Sequence, residues 1–364
     1  MEDSKMTLDL NSVQSYDYFL PEDRIAQEPV SPRDASRLMV IDRAKGKWEH
    51  RFFYELPEII NQNYLMVSNN TKVLKARLLG NRIRIENAKK VLGGAVEFVL
   101  LEEIRPRVWE GLFHASAKYV SGLMFQIPTP DGKGLNGVLV RGSADSPSGT
   151  VVAEFDRDPV ESGAGELPLP HYIQRSPQLQ DEESYQTYFA KKLGSAAAPT
   201  AGLHFTPRVI EKLRQNQIQQ EEITLHVGLG TFRPVKTNDI RQHSMHEERY
   251  EISEKVVSQI QSARKNHKKI LAIGTTTVRA LESAWDPAEN ELVSGMGRTS
   301  IFIYPGSHSF QVVDCLLTNF HLPKSTLLML VCALGGRELM MEAYQEAIAK
   351  KYRFFSYGDA MLIL

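Results

Sequence analysis

Residues 73–155 have a different texture from the rest of the chain, and any fold assigned to it must accommodate that change. Five short apolar segments, AVEFVLLEEI, RVWEGLFH, GLMFQIP, GVLVRG and TVVAEF, follow one another, with turn-forming PDGKG and SADSPSG among them. Short strands at this spacing, separated by Gly, Pro, Asp and Ser, predict a small antiparallel β-barrel or sandwich. On either side, strand-like LMVID, YLMVS, KKILAIG, TSIFIYPG and DCLLTN alternate with stretches of helical period: DEESYQTYFAKK, the polar spacer at 207–222, SEKVVSQIQSARKNHKK, STLLMLVCALGG and RELMMEAYQEAIAKKY. That is the pattern of an α/β domain. The expected architecture is an α/β main domain made of residues 1–72 and 156–364, with a small antiparallel β-barrel domain, 73–155, inserted into it. A length of 364 residues suits two cores better than one.

The formal net charge of -1 excludes a uniformly cationic nucleic-acid binder, so any RNA contact must rest on a local basic surface. One candidate is the first half of the inserted segment, with Lys72, Lys75, Arg77, Arg82, Arg84, Lys89, Lys90, Arg105 and Arg107. The two cysteines, Cys315 and Cys332, form no paired motif, which fits a reducing, cytoplasmic setting. MEDSKMTLDLNSVQ at the N-terminus lacks the pattern of a secretory signal and reads as a loose tail. The apolar run at 327–334 is too short to span a bilayer.

Candidate site residues gather in and around GSAAAPTAGLHFT and ITLHVGLGTFRPV, within 194–235. Ile223, Leu225, Val227 and Leu229 alternate with Thr224, His226, Gly228 and Gly230, which predicts a strand with one apolar face. Two glycines beside His226 predict that a ligand approaches the backbone there. Small residues around Pro199, Thr200 and Gly202 lead to His204 in the same manner. Asp34, Ser36 and Arg37 stand at the entrance to LMVID, and Asn69, Asn70 and Thr71 form a turn after YLMV. A strand, Gly274 and then Thr275, Thr276 and Thr277 at a helix start would aim free N–H groups at an anion. Asn319 and His321, two apart, fall on one side of a strand. Each of these has a plain structural alternative: an Asp–Arg turn, an Asn turn, an N-cap, a satisfied strand histidine. What sets them apart is that they recur near strand ends, where open α/β sheets hold ligands. His243 and His246 beside Glu247 and Glu248 have no third ligand at metal spacing, so no metal is expected. No phosphate-binding loop or dinucleotide fingerprint is present.

PTAGLHFT followed by ITLHVGLGTFRPV, together with RDASRL, PLPHYIQR and RFFSYGDAML, closely resembles the S-adenosylmethionine:tRNA ribosyltransferase-isomerase family of queuosine biosynthesis. The likeness runs from about residue 16 to the C-terminus. It implies a transferase that moves and isomerises the ribosyl part of S-adenosylmethionine onto 7-aminomethyl-7-deazaguanine at the tRNA wobble position, giving epoxyqueuosine, adenine and methionine. S-adenosylmethionine would be a consumed substrate, with no cofactor. The implied partners are the precursor tRNA and the sulfonium donor, with no membrane, and the chain is expected to be monomeric. The RNA brings its own amine, so no protein nucleophile is needed. An acid and a base are needed, and His204, His226 and His321 are the catalytic candidates. Asn319 or Thr231 would stabilise departing adenine. Arg279 with Thr275, Thr276 and Thr277 would line the site for the methionine carboxylate or the adenosyl group. Asp34, Ser36, Arg37, Asn69, Asn70, Thr71, Thr200, Gly228, Gly230, Arg233, Arg353 and Tyr357 complete the implied binding set. Asn70 and Lys72 depart from the family's Asn-Asp-Thr-Arg phrase, so a carboxylate essential at that place would be missing here. A transferase acting on a free amine and a non-catalytic RNA-binding module are the rival readings, and turnover on precursor tRNA separates them from the first.

Overall fold

The computed structural model describes residues 9–116, 121–142, 149–170, 172–228 and 235–364. Gly230, Thr231 and Arg233, and the first eight residues of the expected loose tail, therefore lie outside the described residues. From Asp9 onward the tail is not loose, because Val13 and Tyr16 are buried and Ser12 caps a short 3₁₀ helix.

The chain begins with β1 (Arg37–Asp42), β2 (Lys47–Phe52), α1 (Leu56–Ile59), β3 (Tyr64–Asn69) and β4 (Thr71–Val73). It continues through β5 (Arg77–Glu86), β6 (Lys89–Arg105), β7 (Val108–Ala115), β8 (Met124–Ile127), β9 (Leu135–Arg141), β10 (Val151–Phe155) and β11 (Gly165–Glu166). After α2 (Asp181–Ser184) come β12 (Lys192–Ser195), α3 (Pro207–Gln215), β13 (Gln219–Leu225), β14 (Glu248–Ile252) and α4 (Glu254–Lys265). Then follow β15 (Lys269–Ile273), α5 (Thr275–Ser283), β16 (Trp285–Asp286), β17 (Glu291–Leu292) and β18 (Gly295–Thr299). The chain ends with β19 (Cys315–Asn319), α6 (Thr326–Gly335), α7 (Arg337–Ala349) and β20 (Ala360–Ile363).

The fold is mixed α/β. Nine strands form one sheet in the order β18-β14-β13-β3-β15-β19-β20-β1-β2. Strands β13, β3, β15 and β19 are mutually parallel and so end on one edge of the sheet. β20 is antiparallel to β19 and parallel to β1, which brings the starts of β20 and β1 to that same edge. Both faces of the sheet are covered, which explains why its strands read as near-continuous apolar runs. Leu38, Met66, Leu271 and Leu317 pack under Leu56, Val209 and Leu213 of α1 and α3. Met39, Leu65, Ile270 and Leu316, their alternating neighbours, face α4 to α7 through residues such as Ile260, Leu281 and Leu328. Each such side chain contributes about 1.5–3 kcal/mol. Local signals agree: Thr206 caps α3 with Pro207 as its first residue, and Ser253 caps α4.

The second sheet is antiparallel, in the order β11-β5-β6-β7-β10-β9-β8, and β8 also pairs with β5. Phe98, Phe125 and Phe155 fill its interior, with ring centroids 5.5–6.1 Å apart. Among the described residues no helix is long and apolar enough to cross a membrane.

Four expectations need correction. The strand read through His226 and Gly228 stops at Leu225, because Val227 N–H turns to Ser195 Oγ at 2.6 Å and Ala196 N–H donates to Val227 O. The helix expected over DEESYQTYFAKK is one turn, α2; the N–H groups of Lys191 and Lys192 donate to Asn70 O, drawing the chain into β12 beside β4. TSIFIYPG is not a strand, since β18 lies just before it and ends at Thr299. Asn69-Asn70-Thr71 is not a reversing turn but an extended link, because β4 leaves the main sheet to pair with β12.

Candidate active site

The shared edge of the main sheet is polar although it is buried. Polar groups persist in such a place only when they find partners, and here they find one another. His204 closes the 3₁₀ helix Thr200–His204 that crosses this edge. Its Nδ1 lies 2.7 Å from Ser36 Oγ and its Nε2 3.1 Å from Asn319 Nδ2. The Asn319 amide is oriented independently: its NH2 donates to Phe355 O at 3.0 Å, and its Oδ1 accepts from Thr200 Oγ1 at 3.3 Å. A donor facing Nε2 makes that nitrogen an acceptor and leaves the ring proton on Nδ1, donated to Ser36. Phe53 stacks on the ring with centroids 5.0 Å apart. Burial, and then the nearby Arg353 and Arg33, push the imidazole down to about 3, so it is neutral. With both nitrogens engaged, His204 holds Asn319 and Ser36 in place.

Beyond Asn319 lies a narrow pocket of about 40 Å³, lined by Thr200, Val227, Thr275, Thr276, Asn319 and His321 among others. Gly274, at φ +89°, turns β15 into α5. The N–H groups of Thr277 and Val278 return to Gly274 O, whereas those of Thr275 and Thr276 belong to the first turn and have no intrahelical acceptor. Thr277 turns its hydroxyl back to Ile273 O at 2.7 Å and takes no part in the lining. His321 Nε2 is 3.0 Å from Thr318 Oγ1, and its backbone N–H donates to Tyr344 Oη at 3.0 Å. Burial pushes this ring down to about 3 as well.

Val227 also lines a second, wider pocket of about 270 Å³ between the two sheets. Here His226 Nδ1 is 2.9 Å from Thr71 Oγ1, and Thr71 N–H is held by Asn69 Oδ1 at 3.1 Å. The same Asn69 oxygen accepts from Leu225 N–H at 3.0 Å, so one amide locks the ends of β3 and β13 together. His226 is lowered from its ordinary value, first by burial and then by Arg249 and Lys192. Gly194 packs flat against it: a Cβ there would sit 2.6 Å from the imidazole Cε1. Glu102 and Glu110 enter from the second sheet, facing Glu247 and Glu248 across the pocket. Gly228 N–H donates to Glu248 Oε1 at 3.0 Å, and Glu248 Oε2 forms a buried ion pair with Arg279.

Several residues expected at the site are held elsewhere. Asp34 is taken by Arg208, at 2.7 and 3.1 Å, and by Thr206. Arg37 lies over the Tyr352 ring, its carbon 3.6 Å from the centroid, and donates to Lys350 O. Asn70 accepts from Thr224 Oγ1 and faces Glu222. Arg353 donates to Glu28 O, and Tyr357 to Asp181, itself paired with Arg175. Gly228 has open space where a Cβ would stand, its nearest neighbour being 3.9 Å away, so the crowded glycine beside His226 is Gly194 and not Gly228. Gly194, Ser195 and Tyr344 were not singled out from the sequence as site residues, and Glu248 was weighed only beside the histidine pair at 243 and 246. The first two stand in GSAAAPT, and their smallness was the available signal.

The model of the family described as "Queuosine biosynthesis protein" matches residues 13–363. The chain belongs to this family. It is 47% identical over 356 residues to an S-adenosylmethionine:tRNA ribosyltransferase-isomerase of Symbiobacterium thermophilum, with 97% of this chain and 99% of the relative covered. A relative of the same name from Anaeromyxobacter dehalogenans is 44% identical over 360 residues, with 97% and 99% covered. A crystal structure of S-adenosylmethionine tRNA ribosyltransferase from Thermotoga maritima is 38% identical, covers 96% of this chain and 100% of its own, and superposes with a TM-score of 0.54. Within the queuosine-biosynthesis family, what this chain shows at atomic detail is a pair of pockets on either side of Val227, with imidazoles at both.

Proposed function

We propose that this chain transfers and isomerises the ribosyl moiety of S-adenosylmethionine onto 7-aminomethyl-7-deazaguanine at a tRNA wobble position, giving epoxyqueuosine-tRNA, adenine and methionine. The observation that carries the reading is the meeting of β1, β3, β13, β15 and β19 at one polar edge, in a chain matched along nearly its whole length by enzymes named for this activity. The donor is consumed and no cofactor takes part. In this reading the chain is a cytoplasmic monomer, and the ring of pairings β5-β6-β7-β10-β9-β8 is a small barrel, domain 73–155, inserted between main-domain segments 1–72 and 156–364.

Ligand pockets usually run to about 300–1,000 Å³, so the 40 Å³ pocket receives one end of the donor only. The N–H groups of Thr275 and Thr276 at the start of α5 suit the methionine carboxylate. Asn319 and His321 wall the same end of the donor. The wider pocket takes the acceptor base, whose aminomethyl group is a cation until it loses a proton. Glu102, Glu110, Glu247 and Glu248 line this pocket, each already paired with an arginine: Glu102 with Arg249 and Arg298, Glu110 with Arg141, Glu247 with Arg298 and Glu248 with Arg279. The group that serves the amine is therefore His226 Nε2, which lies opposite the nitrogen held by Thr71 and is placed to accept a proton.

The sulfonium acidifies the adjacent C5′ of the ribose. A base removes the C5′ proton; the pair left behind forms C4′=C5′ and breaks C4′–O4′, the O4′ pair forms the C1′ carbonyl, and adenine leaves C1′ with the C–N pair and is protonated. The neutral amine adds to C4′ of the vinyl sulfonium and loses its proton, forming C–N and leaving a carbanion at C5′. That carbanion attacks the C1′ carbonyl to close the carbocycle, and the resulting alkoxide displaces sulfur at C5′, forming the epoxide C–O bond as C–S breaks and methionine leaves with the electron pair. Incubating the protein with S-adenosylmethionine and precursor tRNA is expected to release adenine and raise the mass of the RNA. Neither change with wild-type protein would sink the reading.

A further inference from the structure

The basic residues in the first half of the inserted segment do not share one fate. Lys75 pairs with Glu182 at 2.5 Å, Arg77 with Glu97 at 2.7 Å and Arg105 with Glu154 at 3.7 Å. Arg107 donates to Asp156 O at 3.1 Å. Arg82, Arg84, Lys89 and Lys90 make no ion pair among the described residues, and all four stand on one projecting ribbon. Strands β5 and β6 stay paired as far as Glu86 opposite Lys89, but β8 reaches β5 only at residues 81–83. Past that point the two strands pair with no other strand among the described residues, and residues 84–92 are all exposed.

The register sorts the ribbon into two faces. Arg82, Arg84 and Glu86 alternate onto one face, with Lys89 opposite Glu86 and Val91 opposite Arg84. Ile83 and Ile85 take the other, with Lys90 opposite Ile85 and Leu92 opposite Ile83. Ile85 and Leu92 are 63% and 58% exposed. Residues 82–91 carry four cations and one anion, a local charge of 4 − 1 = +3 on a chain whose total is -1. A lone two-stranded ribbon with bare apolar side chains is marginal in water and invites a partner. Its charge says which kind.

We propose that this ribbon is an RNA-docking arm that lays its basic face against a stem of the substrate tRNA, with Arg82, Arg84 and Lys89 on phosphates. The inference rests on the reading of tRNA as substrate. Contacts of this kind follow shape and backbone charge and carry no sequence information. They position the RNA so that its wobble base reaches the pocket of His226.

The test measures tRNA binding against salt concentration for wild type, for Arg82→Ala/Arg84→Ala/Lys89→Ala, and for the charge-keeping Arg82→Lys/Arg84→Lys/Lys89→Arg. The alanine variant is expected to lower the slope of log K against log salt by about 2–3, since each lost phosphate contact removes about 0.7–1. Its KM for tRNA rises at least about tenfold by the same loss of contacts, while its affinity for S-adenosylmethionine and its thermal midpoint stay those of wild type. The charge-keeping variant retains the slope. An unchanged slope in the alanine variant overturns the proposal, as does a loss that the charge-keeping variant shares. Unchanged RNA binding together with loss of self-association would assign the ribbon to protein contacts and overturn it too. A wild type that binds no tRNA would instead remove the functional reading beneath it.

Discussion

On the narrow side of Val227, His204 and His321 are fully enclosed, and His204 has a partner on each ring nitrogen. On the wide side His226 is only partly buried, is held by Thr71 at one nitrogen and has glutamates from two sheets around it. Three imidazoles that look alike as letters are thus in different chemical states. His204, satisfied at both nitrogens, stiffens the edge that shapes the narrow pocket, whereas the less enclosed His226 is the ring we propose to move a proton. The largest test of this contrast is His226→Gln. An amide keeps a hydrogen bond to Thr71 but cannot take a proton, so single-turnover adenine release with precursor tRNA is expected to fall by about 10²–10⁴-fold with the unfolding midpoint unchanged. If His204→Gln costs as much turnover at equal stability and His226→Gln costs little, the assignment is reversed.

The next test turns the narrow pocket's enclosure into a pH dependence of stability. An unfolded imidazole binds a proton below about 6.5, but native His204 and His321 refuse it until about 3. Between those values the unfolded state holds more protons than the native one, so stability is present above 6.5 and drains away as pH falls. Each ring contributes a slope of up to about 1.4 kcal/mol per pH unit. Urea unfolding between pH 6.5 and 5, above the range of ordinary carboxylates, reads these two rings together with His226 and His243, which are also lowered from the ordinary value. His321→Asn is expected to remove one ring's share of that slope; an unaltered slope would mean that the ring is protonated inside the fold.

The sequence made some of this contrast visible and hid the rest. Period and punctuation located β1, β3, β15, β19 and the helices α3 to α7, because each carries its own apolar pattern. Gly274 followed by threonines identified the start of α5 for the same local reason. The strand order was not legible: nothing within RFFSYGDAML says that β20 lies between β19 and β1, since pairing is a non-local property. The histidines were recognisable as candidates, but their states depend on partners 115–168 residues away, such as Asn319 and Ser36 for His204. Asp34, Arg37 and Tyr357 looked like ligands for the complementary reason: the groups that occupy them, Arg208, Tyr352 and Asp181, lie far off in the chain.

The smallest expected effect bears on the least conspicuous residue. Gly194 leaves the space that the His226 ring fills, and an alanine Cβ there would sit 2.6 Å from Cε1 and 2.7 Å from Nδ1. Something must yield, since the backbone at φ +152° is itself strained for alanine and the crowded Nδ1 is the atom that Thr71 holds, so Gly194→Ala is expected to swing the imidazole off its hydroxyl. Overpacking of this kind costs about 1–3 kcal/mol of stability. A misplaced base should also cost about tenfold in turnover. Thr71→Val removes the same anchor from the other side by deleting the hydroxyl that fixes Nδ1. If both variants act only through the pose of His226, the double variant loses little more turnover than the worse single one, because a ring already displaced cannot be displaced again. Turnover losses that multiply would show that Gly194 serves β12 alone, and a Gly194→Ala protein with wild-type turnover and a wild-type pH profile would return His226 to the company of the buried rings.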